Sequence, residues 1–76
     1  MTKIPSDLSG REIRAALEMA GFTFRRQKGS HMILRRDDPF ARVVVPDHKT
    51  VRMGTLRRII ADAGMMPEQF QKLLQR

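Results

Sequence analysis

Residues 22–46 read Phe-Thr-Phe-Arg-Arg-Gln-Lys-Gly-Ser-His-Met-Ile-Leu-Arg-Arg-Asp-Asp-Pro-Phe-Ala-Arg-Val-Val-Val-Pro, and this stretch decides the fold. Phe22 to Gln27 is an alternating strand, with Phe22 and Phe24 on one face and Arg25 and Gln27 on the other. Lys28-Gly29-Ser30 supplies a turn, since Gly29 can take positive φ without steric cost. His31 to Arg36 is the returning strand, and Asp37-Asp38-Pro39 is a second turn. Ala41 to Val45 is a third, β-branched strand that Pro46 terminates. Short turns between consecutive strands make an antiparallel meander, which can be covered on one face and left open on the other.

Working outward, Ser9-Gly10-Arg11-Glu12 has the form of a capping box. Ile13, Ala16, Leu17 and Ala20 then recur at helical spacing, and Gly21 stands where such a helix stops. Beyond the third strand, Asp47 to Met53 reads as a loop. Leu56, Ile59, Ile60 and Ala63 form a second helical stripe that ends at Gly64. Pro67 suits the first turn of a short last helix with Phe70, Leu73 and Leu74 on its apolar side, although Met66 is a poor cap. The predicted order is α-β-β-β-α-α, an α+β domain with helices on one face of a three-stranded antiparallel sheet. No repeat or linker divides residues 1–76, so they read as one domain.

At 76 residues the chain sits near the lower size at which an apolar core suffices unaided. It has no cysteine, which removes disulfides and thiolate chemistry and suits a reducing compartment. Residues 1–7 lack the apolar region of a signal peptide, and no apolar run is long enough for a bilayer. A soluble cytoplasmic protein is the expectation. The formal charge is +7, and its distribution is informative. Residues 22–58 hold ten bases and three acids, whereas the flanks carry five of each sign. An excess gathered in the middle of the domain points to a polyanion, most simply nucleic acid, over a surface kept basic for solubility alone.

Within that segment His31 carries the chemistry. Five cations and no acid lie between Phe22 and Arg36, so the hairpin offers its imidazole no carboxylate partner. Neutral imidazole is the form a general base needs. The matching substrate is RNA: the base takes the proton of a ribose 2′-OH, whose oxygen attacks the adjacent phosphorus while Arg or Lys stabilises the developing charge. Arg26 and Lys28 are the leading phosphate contacts, with Arg25, Arg35 and the turn residues Gly29 and Ser30 as further RNA-binding candidates. The pairs Arg25/Arg26 and Arg35/Arg36 are each expected to put one cation on either face of the sheet. His48 is either a second proton-transfer group or, the preferred reading, a loop histidine bonded to the backbone. Two histidines without cysteine or clustered carboxylates give no metal-ligand spacing, so neither a metal nor another cofactor is expected. DNA, lacking the 2′-OH, would not be cut by this route, and neither a membrane partner nor a DNA contact by the chain alone is expected. Two rivals remain: a non-catalytic RNA-binding module using the same cationic sheet, and a domain that only docks on a protein.

Gly21-Phe22 followed by Arg26-Gln27-Lys28-Gly29-Ser30-His31 resembles the signature of the HicA toxin family. So do Val45-Pro46 with His48 after them, then Gly54-Thr55-Leu56 with Ile59 and Ala63-Gly64. The similarity runs in order from Ser9 to about Leu74, and it departs at Met65-Met66, where relatives often carry a Ser or Thr cap. The resemblance implies a fold like the double-stranded-RNA-binding domain and a ribosome-independent mRNA interferase of the bacterial or archaeal cytoplasm. It also implies a cognate HicB antitoxin that covers the active site of the toxin. By the same resemblance His31 is the catalytic histidine of the Gly-Ser-His motif, flanked by Gly29 and Ser30, and His48 matches the histidine after Val-Pro.

Overall fold

The computed structural model describes residues 4–74. Residues 1–3, the start of the segment read above as no signal peptide, and residues 75–76 lie outside the described residues. The elements run α1 (Gly10–Met19), β1 (Thr23–Lys28), β2 (His31–Asp37), β3 (Phe40–Pro46), α2 (Met53–Asp62) and α3 (Pro67–Leu73), as the sequence predicts.

Helix α1 begins on the anticipated capping box. The backbone N–H of Glu12 donates to Ser9 Oγ at 3.1 Å, and that of Ser9 donates to Glu12 Oε1 at 3.0 Å. Two donors that a helix start leaves orphaned are thereby satisfied. The helix ends in a Schellman pair, Gly21 N donating to Glu18 O and Phe22 N to Leu17 O. Helix α2 ends the same way at Gly64 and Met65. Helix α3 has no side-chain cap from Met66, and Gln69 Oε1 instead accepts from the Met66 N–H at 2.7 Å.

The strands form one antiparallel sheet in the order β1-β2-β3. Leu8, Ile13, Leu17, Leu56, Ile60 and Phe70 pack with Met32, Leu34, Val43 and Val45 on its inner face. Among the described residues no helix lies on the other face.

One feature of β1 overturns its predicted alternation. Phe24 pairs with Leu34, but the next residue of β2, Ile33, pairs with Arg26. Arg25 is the extra residue of a β-bulge, and such a bulge resets which side chains point where. Arg26 therefore joins Arg25 on the open side, and Gln27, opposite Met32, turns to the helix side. The expectation of one arginine per face fails for Arg25/Arg26 and holds for Arg35/Arg36.

Candidate active site and nucleic-acid interface

The register sets out the open face as four rungs. Lys28, His31 and Pro46 form the first, and Arg26, Ile33 and Val44 the second. Thr23, Arg35 and Arg42 form the third, and Asp37 with Phe40 the last. At about 3.3 Å per residue, His31 stands about 13 Å along the strand from Arg35 and about 20 Å from the last rung. The structure thus gathers Arg25, Arg26 and Arg35 with Ile33, Phe40 and Arg42 in one groove. It sets His31 with Lys28, Gly29 and Ser30 at the other end of the face.

His31 is exposed, and among the described residues its side chain has no hydrogen-bond or ion-pair partner. It opens β2 because the preceding turn is tight. Gly29 has φ +61° while the φ of Ser30 is not positive, the φ pattern of a II′ hairpin, whose twist suits the flanking strands. The turn is also held from outside. The backbone N–H of Asp47 donates to Ser30 O, and Gln27 Nε2 donates to both Gly29 O at 3.1 Å and Asp47 Oδ2 at 3.2 Å. Arg11 Nε of α1 donates to Asp47 Oδ1 at 3.3 Å. The hydrogen bond from Arg11, then that from Gln27, lower the Asp47 carboxyl from its ordinary value, with the charges of Arg11 and His48 adding to them against partial desolvation. Sequence reading missed this network, because it needs the bulge to bring Gln27 round to Asp47.

The cations divide by role. Arg25, Arg26, Lys28 and Arg42 have no carboxylate partner among the described residues, while Arg35 pairs with Asp37 at 2.9 Å. Ile33 is only 8% exposed although no helix covers it. It lies among the arginines of the groove, and arginine stems are able to bury apolar surface while their charged heads stay in water. Arg36 belongs elsewhere. It donates from Nε to Pro39 O at 2.9 Å and from Nη2 to Ala63 O at 3.2 Å, and it stacks 4.7 Å above the Phe22 ring. That arginine ties the β2–β3 turn to the C-terminal end of α2.

His48 lies apart from the groove, in a depression shared with Pro46, Thr50, Arg52 and Thr55. Its carbonyl accepts from the Gly10 N–H at 2.9 Å, so its backbone anchors the start of α1. The two histidines flank Pro46: His31 pairs with it across the sheet, and His48 follows it by two residues. Among the described residues no group of three His, Asp or Glu side chains is placed to hold a metal ion, and no helix is long and apolar enough to cross a membrane.

A family model described as the HicA toxin of bacterial toxin-antitoxin systems matches residues 10–65. The chain belongs to the HicA toxin family. The match runs from the first residue of α1 past the end of α2, and so includes the whole sheet, the Gly29-Ser30-His31 turn and the Asp47 network. No curated protein gives a significant match. Membership of a toxin-antitoxin family implies an antitoxin as partner for this HicA chain, and its sheet leaves a large cationic surface on which a partner could be received.

Proposed function

We propose that this HicA chain is a metal-independent endoribonuclease acting on mRNA, with His31 as general base. The observation that carries the reading is the position of His31. Its imidazole is exposed and unpartnered on a braced turn, at the end of a helix-free face whose cations outnumber its acids. Phosphates laid along the rungs reach the first one beside Lys28, with Arg26 on the next. There the imidazole takes the proton of a 2′-OH. The 2′ oxygen forms a bond to phosphorus as the bond to the 5′ oxygen breaks and that oxygen takes a proton from water, which leaves a 2′,3′-cyclic phosphate and a 5′-hydroxyl end. Lys28 and Arg26 supply the charge stabilisation for the crowded phosphorane. A single general base contributes about 10²–10⁴-fold, so the enzyme is slow. Working in the cytoplasm, it is held off by a HicB-type antitoxin whose acidic or apolar surface covers the His31 end of the face. His48 supports the start of α1 through its backbone and stays outside the proton transfer.

The test is incubation of purified, partner-free protein with single-stranded RNA in EDTA, beside His31→Ala protein and an RNA carrying 2′-deoxy sugars. Cutting that survives EDTA and disappears in both controls is the expected result. Tight binding with no cutting by the unmodified protein would leave the non-catalytic RNA-binding module as the correct reading.

A further inference from the structure

The far end of the open face carries a side chain that the proposed cleavage does not use. Phe40 opens β3 and is 69% exposed, the most exposed large apolar residue among those described. It shares its groove with Arg25, Arg26, Arg35 and Arg42. A bare phenyl ring is unfavourable in water, and the four guanidinium groups that share its groove outnumber the one carboxylate opposite it, Asp37, so they repel any cationic cover. The surroundings fit a ligand that is anionic along its backbone and presents flat apolar faces. A single-stranded nucleic acid has both properties, since phosphates meet the arginines while an unpaired base stacks on the ring. Guanidinium planes add their own stacking to the same base. A duplex keeps its bases paired inside and has no face to offer Phe40. An acidic protein surface would satisfy the arginines but gives no reason for an aromatic beside them.

We infer that Phe40, with Arg35 and Arg42, forms a base-stacking subsite for an unpaired nucleotide a few positions from the bond that His31 breaks. This rests on the ribonuclease reading and narrows its substrate to single-stranded RNA long enough to span the face. The separation of the two ends, about 20 Å, sets that requirement. Short oligonucleotides that reach only the His31 rung are cut slowly because they lack the anchor. The bulge at Arg25 is what gives the groove its second β1 cation, and so its hold on the backbone beside the stacked base.

The experiment compares two labelled strands of equal length and phosphate number, an oligoadenylate and a fully abasic strand, with His31→Ala protein so that nothing is cut. The oligoadenylate is expected to bind more tightly than the abasic strand. Phe40→Ala in that background weakens oligoadenylate binding about tenfold and leaves the abasic strand unchanged. Phe40→Trp keeps the preference. Phe40 is exposed, so loss of fold is not expected, and a thermal melt of each variant checks it. Equal weakening on both strands, or no change on either, overturns the stacking subsite while leaving cleavage by His31 intact. Failure of the His31→Ala protein to bind either strand overturns the RNA reading itself and assigns the Phe40 groove to a protein partner.

Discussion

Gln27 Nε2 lies 3.2 Å from Asp47 Oδ2, although 20 positions separate the two residues in the chain. The bulge at Arg25 makes this possible by turning Gln27 to the helix side, and the same amide holds Gly29 O. Through Asp47 the turn that presents His31 is fastened to the end of β3 and, by Arg11, to α1. The proposed base therefore stands on a braced hairpin, while its own side chain has no partner among the described residues.

A pH dependence follows from the Asp47 carboxyl. Its pKa is lowered in the folded protein from an ordinary value of 3.8, by the Arg11 and then the Gln27 hydrogen bond. Because the unfolded chain binds the proton more readily, the contribution is fully present above that ordinary value and is lost as pH falls through the folded one. Asp47→Asn should melt below the parent at neutral pH, with the two curves converging as the pH falls below that ordinary value. Thermal melts across that range decide it, and a gap that stays constant throughout would show that the charge of Asp47 does not hold the hairpin.

Two glycines on helices should respond in opposite directions to alanine. A Cβ on Gly10 would run into the Pro46 carbonyl oxygen, with the carbonyl carbon 2.9 Å away, because α1 starts hard against the end of β3. Backbone on both sides leaves nothing to move aside, so Gly10→Ala should cost about 1–3 kcal/mol. Gly54, in the first turn of α2, has open space around it, and alanine there should add about 0.5 kcal/mol through helix propensity. Urea denaturation of both variants tests the pair. A neutral Gly10→Ala would mean that the helix start can shift away from Pro46.

The same contrast shows what the sequence could reveal. Capping at Ser9, the helical stripes, the glycine stops and the alternating Ala41, Val43 and Val45 are local signals, and each element forms where they predict it. The Gly29-Ser30-His31 turn is legible for the same reason. The faces of β1 are not, because a bulge is set by pairing with β2 and leaves no mark in the period of Arg25, Arg26 and Gln27 themselves. Arg36 looks like Arg35 in sequence, and only the return of α2 to the sheet separates a carbonyl clamp from a groove cation. Phe40 falls just after a turn proline, where no periodicity assigns it a face until the strand is seen to start there.

Arg35 and Arg36 should therefore separate binding from stability. Arg36→Gln loses two hydrogen bonds from a charged donor to backbone carbonyls and its stacking on Phe22, for a cost of about 1.5–3 kcal/mol. Arg35 loses only a surface ion pair with Asp37, so Arg35→Gln should stay within about 0.5 kcal/mol of the parent. Its effect should appear on single-stranded RNA instead, as a slope of log affinity against log salt shallower by about 0.7. Denaturation and salt-titrated binding, run on both variants in the non-cutting His31→Ala background, read the two effects apart. Equal stability losses would mean that Arg35 also holds the fold.

The turn itself gives the sharpest test of how His31 is aimed. Gly29 has φ +61° in open space, so a side chain there meets no neighbour and only the backbone conformation resists it. Glycine is the residue of the first central position of a II′ turn, and alanine held at that positive φ costs about 1–2 kcal/mol. Relief of the strain by changing turn type would move the first residue of β2, which is His31. A displacement of about 1 Å at a reacting group can cost about 10²-fold in rate. Gly29→Ala should therefore lose cleavage well beyond its loss of stability. RNA cleavage at a temperature where both proteins are folded makes the comparison. Parental rates from Gly29→Ala would mean that the shape of the turn does not set the aim of His31, and that the Asp47 network alone holds the hairpin in register.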